Sequence, residues 1–236
     1  MENQSKATGQ NNPQDDNAGN ADYQTINAFL ADSAVMLENT KSNPDILNYM
    51  ENAGYPKADI DAKLAELNAL RDLNEAQAKE YGEQYQATES WQVARAAFHK
   101  PYMRHLGLAR IALKHNVAAQ KAMALRGDRA QSQSGYIGQA LLFYSNAMEV
   151  PDFKAALSQK GVTGTDLADG KAKAESLQNL RAAQRKETGE AQQATKKRDA
   201  AYDDLHDWMS DYRATARIVL ADAPQLMEEI GIVEPS

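Results

Sequence analysis

Three side chains in this sequence have types and spacings that could do chemistry. His99 and His206 stand 107 positions apart, and His206 follows Asp203 by three residues. On a helix, positions i and i+3 are neighbours on one face. Asp203 and His206 could therefore offer a carboxylate and an imidazole to one metal ion. Bundles that hold two irons build their sites from Glu-x-x-His motifs on two helices and a further Glu from each of two others. Here Ala96 stands where the other site has Asp203, so the ligand set is incomplete. His99, Asp203 and His206 are candidate ligands, but the bland reading, histidines packed on a bundle seam or exposed at a surface, is the stronger expectation. His105 and His115 have no match at this spacing and are expected at surfaces.

Other chemistries find little support. There is no glycine-rich phosphate loop, no nucleophile-elbow serine and no His-Glu-x-x-His. Cysteine is absent, which excludes disulfides, thiolate metal sites and cysteine nucleophiles. The paired carboxylates Asp203-Asp204 and Glu228-Glu229 are adjacent, so on a helix they diverge by about 100° and do not converge on a substrate. Gly135-Tyr-Ile-Gly138 has the outline of a nucleic-acid GxxG loop, but the chain lacks strand signal and carries a net charge of −7. Nucleic-acid binding needs phosphate-neutralising cations gathered on one face. The sequence implies no cofactor, no catalytic residue and no nucleic-acid partner.

Behind the two histidines is a repeat. Shifted by 107 positions, residues 43–113 match 150–220 without a gap at 22 of 71 positions, including Pro44 with Pro151, Gly54 with Gly161, Gly82 with Gly189 and Arg110 with Arg217. A long period marks a duplicated structural unit. Ala, Leu, Gln, Glu, Lys and Arg dominate and β-branched residues are few, which predicts an almost wholly helical chain. The expected fold is all-α: a duplicated helical unit of 107-residue period, forming an elongated antiparallel bundle with pseudo-two-fold symmetry. The expected organisation is a disordered polar tail over 1–21, a first repeat over 22–126, a linker over 127–135 and a second repeat over 136–233, the repeats packing as one bundle.

Each repeat shows the same parts. A helix over 23–39 or 136–148 comes first. Pro44 or Pro151 opens a short helix, as proline favours a first helical position, and Gly54 or Gly161 ends it in a left-handed conformation. A restart follows, set by Pro56 in one copy and by a Thr163–Asp166 capping box in the other. No Pro, Asn-Gly or Asp-Gly then interrupts the first copy until Lys100-Pro101, and a continuous rod of about 57 residues and about 85 Å is preferred to a hairpin near Gly82 and Gly189. Pro101 should kink the first copy. Short helices close the copies over 117–125 and 224–230. The longest apolar run, 140–144, is far short of the about 20 residues needed to span a bilayer. With no apolar leader at the N-terminus, a cytoplasmic location is expected.

Similarity between the copies peaks at 76–88, where 9 of 13 positions are identical. A glycine inside a helix costs about 0.5–1 kcal/mol relative to alanine, so Gly82 and Gly189 need a reason. The expected reason is a helix crossing, with Gly82, Thr88, Gly189 and Thr195 letting two backbones approach. A polar ligand site using Gln77, Glu80, Gln184 and Glu187 is the rival.

The segment 189–221, with its Gly-Glu-Ala-Gln-Gln-Ala-Thr, Trp208-Met209 and Ala216-Arg217-Ile218, resembles segments of uncharacterised bacterial all-helical proteins. The resemblance implies a helical fold and no activity. The first copy departs from it, with Tyr85 for the first paired glutamine and Lys100-Pro101 for Asp207-Trp208. The functional expectation is a non-enzymatic scaffold, adaptor or assembly component that self-associates or binds a protein partner. The alternative is a bundle that binds a metal or small molecule through His99 and His206.

Overall fold

The computed structural model describes residues 15–233, with side chains from residue 25 onward. Those residues form eight α-helices and no strand: α1 (Asp15–Ser42), α2 (Pro44–Asn52), α3 (Lys57–Ala112), α4 (Val117–Ala122), α5 (Gln133–Glu149), α6 (Pro151–Ser158), α7 (Gly164–Val219) and α8 (Pro224–Glu229). Among the described residues, no helix is long and apolar enough to cross a membrane.

Local chemistry sets the boundaries. Asn43 caps α2, its side-chain oxygen accepting from the N–H of Asp45 at 2.9 Å, and Pro44 supplies the first turn. Pro151 opens α6 without a side-chain cap. Gly54 and Gly161 follow these helices at φ +93° and +76°, where an L side chain would be strained. The expected capping box opens α7: the Asp166 N–H donates to Thr163 Oγ1 at 3.1 Å, and the Thr163 N–H donates to the Asp166 carboxylate at 2.8 Å. The Thr163 hydroxyl, donating to the same carboxylate at 2.7 Å, and then the Thr163 N–H hold the Asp166 carboxyl below its usual range.

Helices α3 and α7 each run 56 residues, unbroken through Gly82 and Gly189, and α3 continues through Pro101. The hairpin alternative is excluded. The ends of α3 and α7, of α4 and α8, and the starts of α2 and α6 all recur at an offset of 107. Of the expected tail, residues 1–14 lie outside the described region. Residues 15–21 are the first turns of α1, so the helix starts earlier than the polar composition suggested. Ala18 and Ala21 are good helix formers, and they prolong a helix already anchored by Ile26 and Leu30.

The chain divides into two compact units, and neither is a sequence repeat. The first is Met1–Glu80 with Gln192–Ser236, and the second is Tyr81–Ala191. Each therefore takes the opening helices and the first part of the long helix from one repeat. The later part of the long helix and the final short helix come from the other repeat. In the first unit, Ile26, Leu30 and Leu37 of α1 join Ile46 and Met50 of α2, Ile60, Leu67 and Leu70 of α3, Leu205, Met209 and Tyr212 of α7 with Leu220 just past its end, and Met227 of α8 in one core. The helices α3 and α7 are antiparallel there: Lys63 sits over Trp208, and Gln77 meets Arg198. In the second unit, Phe98, Tyr102 and Leu106 of α3, with Leu113 just past its end, pack with Ala119 of α4, Tyr136, Phe143 and Tyr144 of α5, Leu157 of α6, and Leu167 and Leu177 of α7.

Candidate functional site

The residues singled out by spacing are scattered. His99 and His206 belong to different units. The His99 Nδ1 lies 3.0 Å from the Tyr136 hydroxyl, and its ring stacks on that tyrosine. The His206 side chain is 52% exposed, with Nδ1 4.0 Å from the Asp207 carboxylate, and its ring leans on Phe29 and Tyr202. Asp203 is exposed. Among the described residues, His99, Asp203 and His206 belong to no group of three or more side chains able to share a metal ion. Aromatic packing accounts for both imidazoles.

The reason given for the paired glycines also changes. A Cβ built on Gly82 or on Gly189 meets nothing within 4 Å. Neither glycine is needed for a close approach of backbones. Thr88 does face the opposite helix, its hydroxyl accepting from the Gln184 Nε2 at 3.2 Å. Thr195 lies on the first unit's part of α7 and is half-buried.

A different cluster carries the polar chemistry of the second unit. Tyr102, Tyr136 and Tyr144 are buried side by side, with ring centroids 5.7 and 5.9 Å from Tyr102 to the other two. Each hydroxyl meets its own partner. Arg129 donates to Tyr102 at 3.0 Å, His99 lies against Tyr136, and the His105 Nδ1 is 3.1 Å from Tyr144. Buried polar groups need such partners, since leaving one unmade costs about 1–3 kcal/mol. Burial pushes the Tyr136 phenol up to about 12, and Tyr102 and Tyr144 are raised for the same cause. All three are neutral phenols at physiological pH, unsuited to act as bases. Arg95 adds its guanidinium over the rings of Trp91 and Tyr136 at 5.5 and 5.3 Å.

His105 is therefore not at a surface. It is buried on α3, and burial lowers its pKa so that it stays neutral. Gly170 completes the seat of Tyr144: a Cβ there would fall into the Tyr144 ring. The sequence pattern placed His105 at a surface and did not single out Gly170. Gly170 left one usable signal, a helix-interior glycine in one copy matched by Lys63 in the other.

Arg198 holds an equivalent polar role in the first unit. It is 3% exposed on α7 and donates to the Gln77 side-chain oxygen at 3.2 Å and to the Asp199 carboxylate at 2.6 Å. Tyr212, the matched position of His105, donates to the Thr40 hydroxyl at 2.8 Å. These groups are spent on one another inside a packed interior. They fix helices in register and leave no nucleophile, base and oxyanion donor facing a common space.

Comparison with known proteins adds no relative: no family model, curated protein or solved structure matches this chain.

Proposed function

We propose that this chain is a non-enzymatic helical scaffold that acts by protein contact, with self-association as its first form. One observation carries the reading. Large aliphatic side chains stand exposed at matched positions of the two copies: Ile111 at 61% and Ile218 at 76%, and Val35 at 55% with Leu142 at 44%. A single exposed aliphatic residue is ordinary. The same exposure at positions 107 apart, in a chain of mean hydropathy −0.66, is what a repeated contact surface would require.

The reading includes a symmetry. The two units are copies of one assembly that exchange the later part of each long helix. Helix boundaries recurring at 107 support this. So does a matched pair of contacts: Asn39 donates to the Glu229 carbonyl at 2.6 Å, and Asn146 donates to the Ala122 carbonyl at 3.1 Å. Cytoplasmic residence belongs to the same proposal, since a chain without cysteine gains nothing from an oxidising compartment.

Light scattering across a concentration series tests the contact surface. The parent chain should assemble, and Ile111→Ser with Ile218→Ser should leave a folded monomer with unchanged thermal melting. A parent chain that stays monomeric throughout, or an assembly indifferent to those substitutions, would contradict the proposal.

A further inference from the structure

The second unit contains an open groove on its surface. It has a volume of about 460 Å³ and runs between the start of α5 and the first part of α7. That size lies within the roughly 300–1,000 Å³ of small-molecule sites. Its α7 wall presents Gln178, Arg181 and Arg185. Their spacing of three and four residues puts them on one helix face. Its α5 wall is Ser134 followed by Ile137, Gly138 and Leu141, largely apolar.

Two independent features indicate that the groove is incomplete as it stands. The Nε of Arg181 is buried and has no hydrogen-bond partner. A buried donor without an acceptor is costly, and a guanidinium bonds most strongly to a carboxylate or phosphate. Nor is Arg181 or Arg185 ion-paired with a described residue. The second feature is the matched position in the first unit. There Asn27 and Asn74 stand where the second unit has Ser134 and Arg181, and the Asn74 amide donates to the Asn27 oxygen at 3.1 Å, tying α1 to α3. The second unit replaces that tie with a hydroxyl and a cation that do not meet.

We propose that this groove is a binding site for a small organic anion, its carboxylate or phosphate held by Arg181 and Arg185 and its apolar body laid along Ile137, Gly138 and Leu141. Arg181 lines the groove with a guanidinium whose two terminal nitrogens form a fork that suits two oxygens of one anionic group. Arg185, one turn further on, adds the second positive charge. Ser134, on the first turn of α5, contributes a hydroxyl close to the positive end of that helix. Gly138 keeps the floor clear: a Cβ there would meet nothing within 4 Å, so any longer side chain would grow into the space reserved for the ligand. Two arginines beside an apolar floor suit a monoanion or dianion with a hydrophobic part. They do not suit nucleic acid, which the chain's net charge of −7 also disfavours. The inference does not depend on the scaffold reading, since none of the exposed aliphatic positions used there contributes a ligand-binding group here.

The test is a titration of the full chain, following the Arg181 Nε–H resonance by NMR. The probes are phenyl phosphate, phenylacetate and inorganic phosphate. The expected result is a saturable shift with the two phenyl compounds, at concentrations at least tenfold below any response to inorganic phosphate. Which phenyl compound saturates first tells a phosphate head from a carboxylate head. Arg185→Gln and Gly138→Leu, followed through neighbouring α5 amides, should each weaken binding at least tenfold. Gly138→Leu keeps both arginines and should leave melting unchanged, so a loss there reports blocked space rather than unfolding. Shifts that never saturate, a response to inorganic phosphate as strong as to the phenyl compounds, or unaltered binding in both variants would overturn the proposal.

Discussion

The two units fill matched positions with unlike residues. In the second unit, Tyr144 reaches across to His105 and its ring lies against Gly170. In the first, the same three positions are Leu37, Tyr212 and Lys63. Lys63 has no large ring to avoid and instead extends over Trp208 at 5.7 Å. Trp91 is buried in one unit where Arg198 is buried in the other. A helical frame needs its interior filled and its buried polar atoms partnered, but it does not prescribe which side chains do this. What is particular to a unit therefore lies where the copies differ.

The largest expected effect follows from that contrast. Gly170→Ala should destabilise the chain by about 3 kcal/mol, because the added methyl overlaps a packed aromatic ring. Chemical denaturation measures it. Tyr144→Phe comes next, at about 1–2 kcal/mol, since it leaves the buried His105 nitrogen without its partner. The matching change at Leu37 would have no such partner to lose. The third effect has the opposite sign. Gly82→Ala and Gly189→Ala should each stabilise by about 0.5–1 kcal/mol, as alanine suits a helix interior and its Cβ has open space at both sites. A loss of stability there would restore the close-approach reading that the geometry removes.

The smallest effect is a pH dependence confined to one unit. Burial holds the His105 pKa below its ordinary 6.5. The folded chain then takes up this proton less readily than the unfolded chain does. Stability should be complete above about pH 6.5 and should fall as pH drops below it. His105→Gln should remove that step from a plot of unfolding free energy against pH.

Much of the fold was legible because local chemistry set it. Pro44, Pro151, Gly54, Gly161 and the Thr163–Asp166 box mark helix ends by rules that need no tertiary knowledge. The long helices were legible because helix formers run on past Gly82 and Gly189 with no turn dipeptide at either glycine, although Pro101 and Asp169-Gly170 lie within them. The partition into units was not, since identity between two segments does not say what each segment touches. Helices that run unbroken through Gly82 and Gly189 carry each copy from one core into the other. His105 was misplaced for a related reason: its burial is decided by Tyr144, 39 residues away on another helix. The paired glycines misled in the other direction, because a residue present in both copies can be shared without being sterically required.

The exchange of segments is most directly tested by hydrogen exchange on Gly170→Ala. If the compact units are as described, protection should fall over 81–112, in α4, α5 and α6, and over 164–191, while 57–80 and 192–219 keep theirs. Loss that instead follows the sequence repeat, spreading along all of 164–219 and sparing 81–112, would contradict the account.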